Sequence, residues 1–304
     1  VSTTRIGDLL LLAVAIVWGS SYLTAKTLTV AGGVLVLLAL RYLISAIAML
    51  PLLALRRPTR PELGTGVLLG VTQASVLLME TYGVAHTSAT NAGVLISLTI
   101  LLTPILEGLV SRRWLPRSFF LAAATATLGV ILLVAGPGLR APSIGDALML
   151  GAAVIRAIHV TLSAHLTRDR PYNSGILTAL QTLTGAVLFA PALIAVPLSY
   201  GPGQWAAVAY LALGCSVFAF VVQLWAIRRT SASRASLLLG TEPVWAVLFG
   251  VLLAGDHLTP VAVAGIALVL AGTFYGQHVE TRTRSSGSAA GSPPIVGGAQ
   301  VSPG

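Results

Sequence analysis

Long apolar stretches, separated by short clusters of Arg, Gly, Pro and Thr, recur along almost the whole chain, from LLLLAVAIVW near the start to VAVAGIALVLAG near the end. About 20 helical residues, each rising 1.5 Å, cross the roughly 30 Å of bilayer hydrocarbon. The runs therefore predict ten membrane-spanning helices, at 7–27, 32–54, 63–84, 89–109, 117–136, 146–166, 174–196, 204–226, 234–254 and 259–278. An outer-membrane barrel would alternate apolar and polar positions over segments of about ten residues. These runs are instead continuous in Leu, Ala and Val, so the expected class is an all-α integral membrane protein. The first run follows one early arginine and nearly reaches span length, which reads as a retained helix rather than a cleaved signal. From about Thr281 to Gly304 the chain turns Gly/Ser/Pro-rich without apolar periodicity, which reads as a disordered tail.

Composition agrees with the pattern. Charged residues make up 9% of the chain and hydrophobic ones 56%, against about 25% charged in a soluble domain. The net charge of +9 is explained by where the arginines fall. With a cytoplasmic N-terminus, 14 of the 18 basic residues lie in inside segments, Arg140 alone lies outside, and Lys26, Arg41 and Arg156 lie within spans. That bias places both termini in the cytoplasm of a multi-pass protein of the cell membrane. It also removes nucleic acid as a partner, because the positive charge is topogenic and no basic stripe alternates with aromatics. The single cysteine, Cys215, can form no internal disulfide or multi-cysteine metal site.

The chain repeats itself. IGDLLLLAVAIVWGSSYLTA from Ile6 parallels IGDALMLGAAVIRAIHVTLSA from Ile144, TSATNAGVL from Thr87 parallels TSASRASLL from Thr230, and TLGV at Thr127 is matched by LAGT at Leu270. Their common order implies a duplication, with a first five-helix unit over 1–138, a second over 139–279 and the tail over 280–304. Five is odd, so the second unit enters the bilayer from the opposite face. Such inverted repeats are associated with secondary transport around a midplane site.

A charge at the centre of a membrane helix costs roughly 2.5–3.5 kcal/mol on insertion scales, so intramembrane charges pair or face water. The spans hold Lys26, Arg41 and Arg156 against Glu80, Glu107 and Glu242. Arg41, Arg156 and Glu242 fall near mid-span, Lys26 and Glu80 in the outer third. Glu107, just before SRR, reads as an interfacial ion pair. The central set admits two readings, as salt bridges that hold the bundle together or as the lining of a polar cavity. His159 shares a helix face with Arg156, and Gln73 shares one with Glu80. Several polar rows on several helices favour the cavity.

Pro104 and Pro243 interrupt corresponding helices of the two units. They stand 17 residues after Thr87 and 13 after Thr230, about one turn out of register. Glu242 beside Pro243 thus reads as a carboxylate on a locally opened helix. Trp18, with Ser21 and Tyr22 on the following turn, could form an amphipathic wall that selects substrate. Gly66 with Gly70, and Gly272 with Gly276, have spacings that suit close helix packing or homodimer contacts. No P-loop, HExxH or nucleophile elbow is present, so neither an ATP-driven pump nor an enzyme is indicated. His159 and His165 lie six residues apart on different helix faces, and no metal or other cofactor is expected.

Taken together, VWGSSYLTAK at 17–26, ALRYLISA at 39–46, YGVAHTSATNAG at 82–93, GDALMLGAAVIRAIH at 145–159 and the long TSASRASLLLGTEPVWAVLFGVLLAGDHLTPVAVAGIALVLAGT resemble the EamA family of the drug/metabolite transporter superfamily, over about residues 6–278. The resemblance implies a bacterial inner-membrane carrier, often an exporter of amino acids or related metabolites, with a central cavity lined by both repeats. Two positions depart from the family: Arg156 replaces a more usual aromatic, and Glu80 a frequent glutamine. The expected function is a permease that moves a small polar or zwitterionic metabolite by alternating access. Trp18 and Tyr22 would give selectivity, Arg41, Arg156 and His159 would line the site and meet an anionic group, and Glu80 and Glu242 would meet an amine or a coupling proton. Export of a cationic drug, and a non-transporting membrane scaffold, are the competing expectations.

Overall fold

A computed structural model describes residues 3–87, 95–112, 114–135, 143–194, 200–254 and 259–290, and among these the chain is helical with no strand. The helices are α1 (Thr3–Gly19), α2 (Ser21–Gly32), α3 (Val34–Leu55), α4 (Arg60–His86), α5 (Thr99–Ser111), α6 (Arg117–Ala135), α7 (Ile144–Thr167), α8 (Ser174–Phe189), α9 (Pro202–Ala212), α10 (Ala219–Arg229), α11 (Ala232–Leu239), α12 (Glu242–Ala254) and α13 (Pro260–Ala290). Six stretches are long and apolar enough to cross a bilayer: Val34–Leu55, Arg60–His86, Ile144–Thr167, Ser174–Leu193, Pro202–Arg229 and Pro260–Thr283. The protein is therefore a multi-pass membrane protein. The other predicted spans are also helical where described, but they are shorter or broken.

The helix ends follow from local sequence. Thr59 and Glu62 form a capping box at the start of α4, and Ser143 and Asp146 form one at the start of α7. Asn173 Oδ1 accepts from the N–H groups of Gly175 and Ile176 and so starts α8. Pro191 lacks an N–H, and at Ala190–Leu193 the eighth helix tightens into a 3₁₀ turn. The tail departs from expectation: α13 continues to Ala290, past the predicted span end at 278. Arg234 and Ser231 hold Glu280 in place, and Thr281 and Thr283 donate back to Gln277 O and Val279 O. That anchoring gives the helix a reason to continue through a stretch the composition reads as disordered. Residues 291–304 of the tail lie outside the described residues.

α4 is gripped between α7 and α8, α3 lies along α8, α1 crosses α10 and α12, and α13 runs along α6. Large apolar side chains such as Leu9, Leu121, Val187 and Phe274 face outward, as lipid contact requires. The glycine spacings are used within the chain. Gly66 and Gly70 admit Leu180 and Thr184 of α8, while Gly276 admits Leu237.

α6 and α13 meet through a pair of glycines, Gly129 and Gly272. A Cβ on Gly129 would lie 2.7 Å from Gly265 O and 2.6 Å from Val269 N; one on Gly272 would lie 2.6 Å from Ala122 O and 2.7 Å from Ala126 N. Each glycine thus abuts the residues seven and three before the other. Backbone meets backbone with no flexible side chain to yield. Gly272→Val is expected to lower the melting temperature of the detergent-solubilised protein, by an overpacking cost of about 1–3 kcal/mol, whereas Gly203→Val, which meets nothing within 4 Å, should leave packing undisturbed.

The same reciprocity governs the start of each repeat. Gly7 packs against Thr230, and Gly145 packs against the backbone of His86 and Thr87. Asp8 binds Arg234 of the second TSA segment, and Asp146 accepts from the Thr87 hydroxyl of the first at 2.5 Å. Gly7 and Gly145 of the two IGD sequences thus each meet the threonine that opens a TSA sequence, Thr230 and Thr87.

Candidate functional site

Three discontinuities converge in the interior. In the ninth predicted span α11 stops at Leu239, Gly240 and Thr241 form a turn, and α12 begins at Glu242 with Pro243 as its second residue. In the fourth, a helical stretch over 95–97 turns at Leu98 before α5 begins; residues 88–94, which include most of the first TSA segment, lie outside the described residues. Leu98 is eleven residues past Thr87, and Thr241 is eleven past Thr230. The breaks are thus in register although the prolines are not. Pro104 sits buried inside α5 without ending it. The two breaks also touch, because the bare Cα of Gly240 lets the Ile100 side chain pass against it.

The third discontinuity is a π turn at Leu213–Phe218, between α9 and α10. A π turn displaces the backbone hydrogen-bond ladder, and such turns are frequent at functional sites. Trp18 Nε1 donates to Cys215 O at 2.9 Å, and Arg41 Nη2 donates to the same carbonyl at 3.2 Å. Arg41 Nε donates to Ser216 Oγ at 2.7 Å, and Ser45 Oγ to Ala212 O at 2.9 Å. Arg41 is thereby committed to the π turn. Among the described residues no carboxylate lies within 4 Å of it.

Arg156 is the centre of the site. It reaches from α7 with Nη2 on Glu80 Oε2 of α4 at 2.6 Å and Nη1 on Glu242 Oε2 of α12 at 3.4 Å. Its guanidinium carbon stands 5.2 Å from the centroid of the Trp18 ring, a cation–π arrangement. The side chains of Arg156 and Glu80 are each 13% exposed and that of Glu242 is 5%.

Two small cavities adjoin this centre, one at Arg156 and Glu242 and one at Glu80 and Arg41. Ser97, Thr103, Arg156, Ser236, Gly240 and Glu242 line one, where the two helix breaks meet. Ser21, Thr29, Arg41, Glu80 and Thr81 line the other. Each has room for about one or two waters. Thr103 Oγ1, wholly buried in the first cavity wall, has no hydrogen-bond partner.

Trp18, Arg41, Glu80, Arg156 and Glu242 are thus brought around one polar centre. His159 stands apart from both cavities: it is 4% exposed, and its Nδ1 pairs with Thr72 Oγ1 at 2.8 Å in the seam between α7 and α4. The side chains of Tyr22 and Lys26 lie outside the described residues. Glu107 makes the interfacial contact expected of it, but across helices. Its Oε1 lies 3.7 Å from Arg168, and its Oε2 accepts from the backbone N–H of Ser233 at 2.8 Å and from the Ser233 hydroxyl.

A second charge cluster was not singled out in the sequence. Arg234, 7% exposed, forks onto both oxygens of Asp8 at 2.8 and 2.7 Å and reaches Glu280 Oε2 at 3.1 Å and Thr281 Oγ1 at 2.6 Å. Counting it as topogenic concealed this role. The available signal was Asp8 itself, which recurs as Asp146 in the second IGD.

Comparisons with known proteins bear on the family and the fold. The model of the EamA-like transporter family matches twice, over residues 5–135 and 143–275. An uncharacterized transporter of Archaeoglobus fulgidus is 27% identical over 265 residues, covering 86% of this chain and 83% of its own length. The uncharacterized transporter YetK of Bacillus subtilis is 28% identical over 281 residues, with 86% and 83% covered, and the uncharacterized inner membrane transporter YedA of Escherichia coli K12 is 27% identical over 276, with 86% and 87% covered. A protein solved by crystallography superposes with a TM-score of 0.75 at 19% identity, covering 92% of this chain and 99% of its own, a likeness of fold. With family matches across both halves, the chain belongs to the EamA-like transporter family and is a membrane transporter.

Proposed function

We propose that the protein is a secondary carrier of small zwitterionic metabolites such as amino acids, working by alternating access in the cell membrane. The observation that carries this reading is Arg156, which bridges Glu80 and Glu242 where broken helices from both halves meet. A zwitterion brings one negative and one positive group. Its carboxylate can take a place on Arg156 or Arg41, and its amine can take Glu80 or Glu242. An organic cation would meet two arginines in the same space and is the poorer fit.

In this reading ten helices form two inverted five-helix repeats, over 1–138 and 139–279, with both termini cytoplasmic. Support comes from the reciprocal contacts of Gly129 with Gly272 and of each IGD with the opposite TSA. The two aspartate contacts then lie at opposite membrane faces, one at each mouth of the pathway. Trp18 contributes the selective wall and Pro243 fixes the start of the half-helix that carries Glu242. His159 holds α7 against α4 rather than touching substrate. The membrane lipid is the surrounding partner, and the glycine spacings serve this chain rather than a homodimer.

In proteoliposomes, a panel of labelled amino acids is expected to give saturable flux with the wild type. Glu242→Gln, reconstituted at equal folded amount, should lower that flux at least tenfold. Absence of saturable flux across the panel would overturn the amino-acid assignment, and undiminished flux in the variant would remove Glu242 from the pathway.

A further inference from the structure

The cavity at the meeting of the two helix breaks is too small for a metabolite yet is lined by the polar side chains of Ser97, Thr99, Thr103, Arg156, Ser236 and Glu242. We propose that it is the coupling-proton site of the carrier, with Glu242 as the proton acceptor and Thr103 as its hydrogen-bond partner through one water. This rests on the carrier reading above and adds the ion that drives it.

Three features of the cavity support the assignment. Its volume suits about one water. Thr103 Oγ1 is completely buried in its wall with no partner, and a buried hydroxyl without one is costly unless something in the cavity meets it. Finally, the two contacts of Arg156 are unequal: 2.6 Å to Glu80 but 3.4 Å to Glu242. Glu242, and not Glu80, lines the hydroxyl-bearing space.

The groups that face Glu242 set the direction of the exchange. Arg156 comes from α7 and carries Glu80 of α4 on its second nitrogen, and the Cys215 thiol of the π turn is the further titratable group in electrostatic reach. α5 presents the hydroxyls of Thr99 and Thr103 to the cavity. The titratable side chains of α1 and α6, which pack on α12, are Arg5, Asp8 and Arg117, all within the first two turns of their helices.

The step balances simply. A hydronium ion entering along water transfers its proton to a Glu242 oxygen; an O–H bond forms there and water is left behind. The neutral acid no longer competes for the guanidinium, so the Arg156 Nη1–H donates instead to the carboxylate of the substrate. Loss of the proton to water on the other side restores the Arg156–Glu242 pair and displaces the substrate. Protonation and substrate binding thus occur together on one side and are undone together on the other.

The test reads Glu242 without needing a substrate. Infrared difference spectra of the full chain in phosphatidylcholine liposomes, taken between neutral and acidic pH, should show a protonated-carboxyl C=O band that appears on acidification. Glu242→Gln should lose that band. Thr103→Val, a volume-conserving change that keeps Glu242, should shift its frequency by removing the hydrogen-bond partner. A titrating band that persists in Glu242→Gln, or a spectrum that Thr103→Val leaves unmoved, overturns the proposal, and the second variant serves if the first does not fold. Flux of the labelled amino-acid panel under an imposed pH gradient separates the two claims. Substrate flux without the Glu242 band sinks the coupling site alone; the band without flux of any panel member sinks the amino-acid assignment alone.

Discussion

Replacing Arg234 with methionine is expected to destabilise the folded protein by about 3–5 kcal/mol, the cost of stripping one partner from a buried ionic network. The substitution strands Asp8 and Glu280, whose side chains are 17% and 2% exposed, and removes the tie that joins α1, α11 and α13. Arg234→Lys should recover only part of the loss, because a single ammonium cannot fork onto both oxygens of Asp8 while also reaching Glu280 and Thr281. Neutralising all three charges, as Arg234→Met with Asp8→Asn and Glu280→Gln, should return most of the stability, since no isolated charge then remains. Denaturant or thermal unfolding in detergent decides it. A single Arg234→Met variant within about 1 kcal/mol of wild type would reduce the network to the worth of a surface pair.

Arg156→Met is expected to do two separable things. It removes the guanidinium that Glu80 and Glu242 share, so unfolding free energy should fall by about 3–5 kcal/mol. It should also abolish saturable flux. Adding Glu80→Gln and Glu242→Gln should restore much of the stability but none of the transport. That pattern distinguishes a carrier from a scaffold, in which the three charges would serve only one another. If the triple variant transported as well as wild type, the pair would be structural and the substrate path would lie elsewhere.

The helical class and the membrane were legible because bilayer thickness acts directly on sequence, as runs of about 20 apolar residues. The family was legible in long motifs such as TSASRASLLLGTEP. The pairing within the charged centre was not. Arg41 and Arg156 look alike along the chain, yet one serves the Cys215 carbonyl and Ser216 of a π turn while the other serves two glutamates. A π turn leaves no sequence mark: LGCSVF reads like any other part of its span. The prolines were a partial guide, since Pro243 does open its half-helix while Pro104 lies inside one, and the register lay in the turns at Leu98 and Gly240–Thr241. His159 shows the limit of helical periodicity, which put it near Arg156 without revealing that Thr72 waits for it across the α4 seam.

The crossed glycines of α6 and α13 have an ancestral meaning. Gly129 fits a groove that only the second half supplies, Gly272 fits one that only the first half supplies, and each IGD docks on a TSA segment from the opposite half. A five-helix unit alone would expose half of every one of these joints, and a second copy of that unit, inserted upside down, would offer the missing halves. On the inverted-repeat proposal, the linked chain keeps the bonding pattern of an antiparallel pair of identical molecules. Fusion would fix their stoichiometry and free each side to diverge, as Arg234 has where the first TSA sequence carries Asn91.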